Sequence, residues 1–214
     1  MHTDASQAIG KINVNVHDLD VDFLTLAGHK LYAPKGVGAT YIKAEAPVAR
    51  LMHGAGHEGG RRAGTENVLF WAALGTACRL AKDSLADRIA TMGACRDLLK
   101  TILVEELGEE KVRINGHPEA CLPNTLSIGF RGCSATAMMA HSSSIMCCSA
   151  GSACHAGAGD KASHVLRAMA IPDEFALGTL RLSCGLSTTE DKIRSAAAAI
   201  VAAVKSQKSG SASI

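Results

Sequence analysis

Lys30 closes a short apolar run, Leu24-Thr25-Leu26-Ala27-Gly28-His29-Lys30, and a glycine-rich turn, Pro34-Lys35-Gly36-Val37-Gly38, follows at once. Upstream lies His2-Thr3-Asp4-Ala5-Ser6-Gln7. A lysine stripped of water by apolar neighbours gives up its proton more readily and becomes a nucleophile toward a carbonyl. An acid placed behind a pyridine ring keeps the ring nitrogen protonated. An acid and an amide before a strand, then a lysine at a strand's end, are what a pyridoxal phosphate site asks of a protein. Each residue also has an ordinary alternative. Lys30 alone reads as a solvated strand-end lysine, Asp4 as a turn or cap residue, Gln7 as a surface amide and His29 as a structural imidazole. Gathered around one lysine, those alternatives weaken together.

Two further positions carry chemistry. Cys154 sits among small residues, Ser149-Ala150-Gly151-Ser152-Ala153-Cys154-His155, a composition that predicts a loop tip with an accessible thiol beside an imidazole. A zinc site built on Cys148, Cys154 and His155 is disfavoured, because no second ligand pair follows at short spacing. Arg181 alternates with Leu180 and Leu182, so it shares a polar face with Thr179 and Ser183. A guanidinium fixed on such a face can grip a carboxylate through two parallel hydrogen bonds, although a surface ion pair is the plainer reading.

The elements that must position these residues follow from periodicity. Phe23 to Ala27 is a continuous apolar run, predicting a strand buried on both faces. Gly38 to Lys43 predicts a second strand, and residues 53–65 a loop rich in Gly, His and Arg. From Glu66 to about Leu107 the pattern is helical: Leu69, Ala73, Ala77, Leu80 and Ala81, then Leu98, Ile102 and Leu107, with Gly75 and Gly93 as points of interruption. A domain boundary is placed near residue 87. Leu126, Ile128 and Phe130 predict a half-buried strand, Ala135 to His141 a helix, and Ile145 to Ser149 an apolar strand. Ile193, Ala197, Ile200, Val201 and Val204 share one face of a last helix.

Composition removes several classes of function. Net charge is +2 without a basic cluster before the tail, and aromatic content is 3%, so neither phosphate tracking nor base stacking has support. No apolar stretch is long enough to span a bilayer. The chain lacks a secretory signal pattern, and several of its eight cysteines fall in apolar patterns, which predicts a reducing, cytoplasmic setting without a disulfide framework.

Taken in order, the motifs resemble those of the cysteine desulfurase and selenocysteine lyase family of class V aminotransferase-like enzymes. The matching segments are residues 2–7, Gly-His-Lys at 28–30, Ala-Pro-Lys-Gly-Val-Gly at 33–38, Arg-Arg-Ala-Gly-Thr-Glu-Asn at 61–67, Leu-Pro-Asn-Thr-Leu at 122–126, Gly-Ser-Ala-Cys at 151–154 and Leu-Arg-Leu-Ser at 180–183. The resemblance implies an α/β fold, the C-terminal part of a pyridoxal phosphate fold type I enzyme. Residues 1–86 would belong to its cofactor-binding large domain and residues 87–214 to a small α+β domain. It implies that Lys30 forms the Schiff base, Asp4 pairs with the pyridinium nitrogen, Gln7 bonds the phenolic oxygen and His29 lies against the cofactor. Thr65 would reach the phosphate in a partner subunit, implying a homodimer. Arg181 would hold the substrate carboxylate, and Cys154 would receive sulfur or assist selenium release, passing it to an acceptor protein.

Many desulfurases carry a serine where this chain has Ala27, which tilts the expectation toward a selenocysteine lyase, with a cysteine desulfurase or a non-catalytic binding fragment as alternatives. Family members also carry about as much chain again before the His-Thr-Asp segment. The expectation is therefore weak or absent cofactor binding by this chain alone.

Overall fold

The computed structural model describes residues 1–150 and 162–209. It separates into two compact units, Met1–Arg88 and Ile89–Ile214.

The first unit is built on a three-stranded sheet in the order β1 (His2–Asp4), β2 (Phe23–Ala27), β3 (Gly38–Ile42). β1 runs parallel to β2 with Asp4 opposite Thr25, and β3 runs antiparallel to β2 with Thr25 opposite Thr40. Of β2 only Leu24 is buried; the other four residues are half-buried. The expected burial on both faces is thus not reached within this unit, whose small clusters centre on Ala5, Val21 and Leu24 and on Leu31, Ala77 and Ala81.

Helix α1 (Val68–Asp83) begins where Asn67 accepts the Phe70 N–H at 3.2 Å, an N-cap that satisfies one orphan donor. It buries Leu74, Ala77 and Ala81. Leu69 and Leu80, expected on the core face, are exposed. The long helical pattern does break, though not at either glycine. Gly75 and Gly93 lie inside helices with open space around them. The break is at Ser84, whose hydroxyl donates to Leu80 O and so competes with the backbone ladder. Helix α2 (Leu85–Leu107) follows.

The second unit holds the larger core. Its sheet is antiparallel, β4 (Val112–Ile114), β5 (Thr125–Phe130), β6 (Thr179–Ser183). Leu126, Ile128 and Phe130 from β5 and Leu180 and Leu182 from β6 pack against Leu99, Leu103 and Leu107 of α2. Helix α6 (Glu190–Ser209) closes the cluster with Ile193, Ala197, Ile200, Val201 and Val204, the face its spacing predicts. Short helices α3 (Ala135–Ser142), α4 (His164–Ala168) and α5 (Asp173–Ala176) complete the unit. Ile145 to Ser149 is not a strand. Ile145 and Met146 donate their N–H groups to Ser142 O, both at 3.0 Å, continuing the turn of α3, and only Ser149 bridges to Arg181.

Candidate active site

In the first unit the parallel pairing of β1 with β2 decides where the chemistry gathers. Asp4 is the last residue of β1, opposite Thr25; β2 ends two residues later at Ala27, and Gly28–Leu31 then folds into a single 3₁₀ turn carrying His29 and Lys30. Asp4 and Lys30 therefore leave the sheet at the same end of adjacent parallel strands, the carboxyl end, where open α/β sheets place ligands. Gln7 is exposed in the turn that follows β1, a turn closed by the Ala8 and Ile9 N–H groups donating to Ala5 O.

The turn around Lys30 is fixed by close packing. The Gly28 N–H donates to Val37 O at 2.9 Å, and the Ala33 N–H donates to Gly28 O at 3.1 Å. A Cβ at Gly28 would stand 2.7 Å from Val37 O and 3.2 Å from Leu74 Cδ1, so the position excludes any side chain. Tyr32 takes a left-handed conformation, φ 68°, to end the turn. His29 and Lys30 are exposed. The apolar run expected to bury the Lys30 amine does not do so: four of its five strand residues are themselves only half-buried, and Lys30 is exposed. Among the described residues Lys30 forms no ion pair.

The Ser6 hydroxyl and the Ser6 N–H, the latter donating to Asp4 Oδ1 at 2.9 Å, hold the Asp4 carboxyl below its usual value, with His2 adding a smaller pull. Asp4 therefore remains a carboxylate in neutral solution. On the same face His2 Nε2 lies 2.9 Å from Thr25 Oγ1. Thr65 is exposed in the loop before α1. That loop is tied by the Ala63 N–H to Met52 O and by Arg62 to Glu58.

Arg181 belongs to the second unit, on β6, opposite Ser127 of β5. It is half-buried, and its backbone also exchanges hydrogen bonds with Ser149, Arg181 N–H to Ser149 O at 2.7 Å. Thr179 is buried; its hydroxyl donates to Phe175 O and accepts from Asn115 Nδ2, so it supports the strand rather than a pocket. Asn124, in the Leu-Pro-Asn-Thr-Leu segment, is likewise structural: its N–H₂ and C=O tie the start of β5 to Cys184 after β6. Cys154 and His155 lie outside the described residues.

The Aminotransferase class-V family profile matches residues 1–195. The chain belongs to that family. Among curated relatives of this class V chain, cysteine desulfurase 2 of Trichormus variabilis is 43% identical over 193 residues, covering 90% of this chain and 48% of the relative. The cysteine desulfurase of Frankia sp. is 42% identical, covering 94% and 48%. The cysteine desulfurase IscS of Histophilus somni strain 2336 is 38% identical, covering 95% and 50%. A solved NifS-like protein superposes with a TM-score of 0.83 at 32% identity, covering 95% of this chain and 52% of that one. A NifS-like protein from Rickettsia africae superposes at 0.84 with 27% identity. The chain thus spans about half the length of the relatives it matches, and its fold is that part of a fold type I enzyme.

The class V family is pyridoxal phosphate-dependent, and the first unit's residues fit the group. An amine without an ion-pair partner among the described residues and an ionised carboxylate stand at the carboxyl ends of neighbouring parallel strands, with a turn that glycine alone can make between amine and sheet.

Proposed function

We propose that this chain carries the lysine-bearing part of a cysteine desulfurase, an enzyme that takes sulfur from L-cysteine and leaves L-alanine. The observation that carries the reading is the placement of Asp4 and Lys30 at one end of β1 and β2, joined to the naming of relatives up to 43% identical as cysteine desulfurases.

Lys30 Nζ would hold pyridoxal phosphate covalently, Asp4 would pair with its ring nitrogen, Gln7 with its phenolic oxygen, and His29 would lie against it. When bound, the cofactor supplies an electron sink for the substrate's α-carbon. Arg181 grips the substrate carboxylate. Lys30 Nζ, as a free amine, would accept the α-proton. Cys154 Sγ attacks the substrate sulfur: an S–S bond forms, the Cβ–S bond breaks, its electron pair stays with carbon, and protonation completes alanine. The persulfide on Cys154 then passes to an acceptor protein. Thr65 serves a second subunit's cofactor phosphate, which makes the enzyme a homodimer, and the setting is cytoplasmic.

A second reading, selenocysteine lyase, rests on Ala27 standing where many desulfurases carry serine. The relatives' names favour sulfur. The test is a spectrum and an assay on this chain joined to the half that its relatives add. Lys30→Ala should abolish the yellow Schiff-base absorbance. Cys154→Ala should abolish sulfur release from cysteine while leaving that absorbance intact. Retained absorbance in the first variant, or full cysteine turnover in the second, would refute the scheme. Loss of selenium release, but not of sulfur release, on Ala27→Ser would favour the second reading.

A further inference from the structure

Lys11 lies just beyond the turn that follows β1. Gly10 before it has a φ of +76°, and a Cβ there would stand 2.6 Å from Leu31 Cδ2, 3.3 Å from Ala81 Cβ and 3.8 Å from Arg88 Nη1. The Gly10–Lys11 segment is therefore wedged between Leu31, the residue after Lys30, and the junction of α1 with α2. Lys11 is 9% exposed, and its Nζ is sealed from solvent with no hydrogen-bond partner among the described residues. Arg88 is 8% exposed; its Nε donates to Ser84 Oγ at 2.8 Å, and no described carboxylate pairs with it. Burial, then the charges of Lys30 and Arg88, push the Lys11 amine below its ordinary value. A buried cation is retained in a fold when something pairs with it, and two side by side without an acid are costly.

We propose that Lys11 and Arg88 form a buried anion site that receives a carboxylate side chain from a partner polypeptide. Charge complementarity selects an acid. The matched relatives carry about as much polypeptide again as this chain spans, and the acid would come from that portion. Because Lys11 Nζ is sealed in the unmixed chain, the carboxylate must displace the side chains that cover it; seated there, it accepts from Lys11 Nζ and Arg88 and clamps the Gly10 turn against Leu31, directly behind the turn that presents Lys30. The inference rests on packing and family membership, not on the desulfurase reading, and its test involves no turnover.

The probe is the portion of the Trichormus variabilis relative that this chain does not span, produced separately and mixed with this chain. A complex should form. Lys11→Met should weaken it by about tenfold or more, the loss expected when a buried charge pair is broken, and Lys11→Arg should retain it. In the unmixed chain Lys11→Met should raise Tm, because an apolar side chain of similar length replaces an unpaired charge. Acetate should stabilise the unmixed chain no more than chloride at equal ionic strength; a specific acetate effect lost in Lys11→Met would assign the site to free carboxylates and overturn the polypeptide source. Absence of a complex, equal binding by Lys11→Met, or a lower Tm for that variant would also overturn the proposal.

Discussion

A methyl group at position 28 would meet Val37 O at 2.7 Å, and that oxygen already accepts the Gly28 N–H. The clash is with backbone, so no side-chain rotation relieves it; the Lys30 turn must separate from the Val37 backbone just before β3. Gly28→Ala should therefore cost about 1–3 kcal/mol, the usual range for overpacking. A urea midpoint unchanged from the parent chain would show that the turn is looser than described. This residue and its neighbours were legible in the sequence, because a glycine before a histidine and a lysine at a strand end announces a tight backbone approach. The exposure of Lys30 was not, since an apolar run tells which residues face the sheet and nothing about the turn beyond it. Lys11 was invisible for the opposite reason. A lysine after a glycine, in a segment without helical or strand periodicity, reads as surface; its burial, and the packing of the preceding Gly10 against Leu31, Ala81 and Arg88 from distant positions, appear only in the fold.

Among the elements, regular patterns read well and irregular joints did not. The stripe on α6 and the apolar positions of β5 and β6 matched burial, because they pack against one core; the alternation itself did not hold at Gly129 and Thr179, which are buried as well, Gly129 against Phe175. On α2 the expected Leu107 is buried, but the other two positions slipped by one: Leu99 and Leu103 are buried, whereas Leu98 and Ile102 only rest on the cluster edge. Adjacent apolar pairs, Leu98-Leu99 and Ile102-Leu103, leave the stripe's phase undecided until a partner face is known. The distinction is measurable. Leu103 is fully buried, so Leu103→Ala should cost about 2–5 kcal/mol through lost contacts and a cavity. Ile102→Ala should cost clearly less. Equal losses in chemical denaturation would place the helix in a different rotation. Ser84 and the Ile145–Ser149 segment were missed through local hydrogen bonding, which hydrophobic patterning does not register.

Across the whole molecule apolar burial is unevenly shared. The second unit gathers β5, β6, α2 and α6 around one large cluster, with Phe130, Leu103, Ile128, Leu180 and Ile200 fully buried. The first unit has two small clusters and leaves large apolar side chains outside: Leu51 is 90% exposed and Leu69 is 76% exposed, with Val68 and Met52 near them in sequence. Such exposure is what a domain shows when part of its cover is supplied by other polypeptide, in keeping with the half-length match to its relatives. Opening free energies follow buried apolar contact, so the units should differ in native-state hydrogen exchange. Amides of β5 and the buried face of α6 should exchange at least about a hundredfold more slowly than those of β1 and β2. Adding the complementary half of a relative should slow exchange in the first unit and leave β5 unchanged. Equal protection in both units before that addition would mean that β1 and β2, and with them the Asp4–Lys30 arrangement, are stabilised by this chain alone.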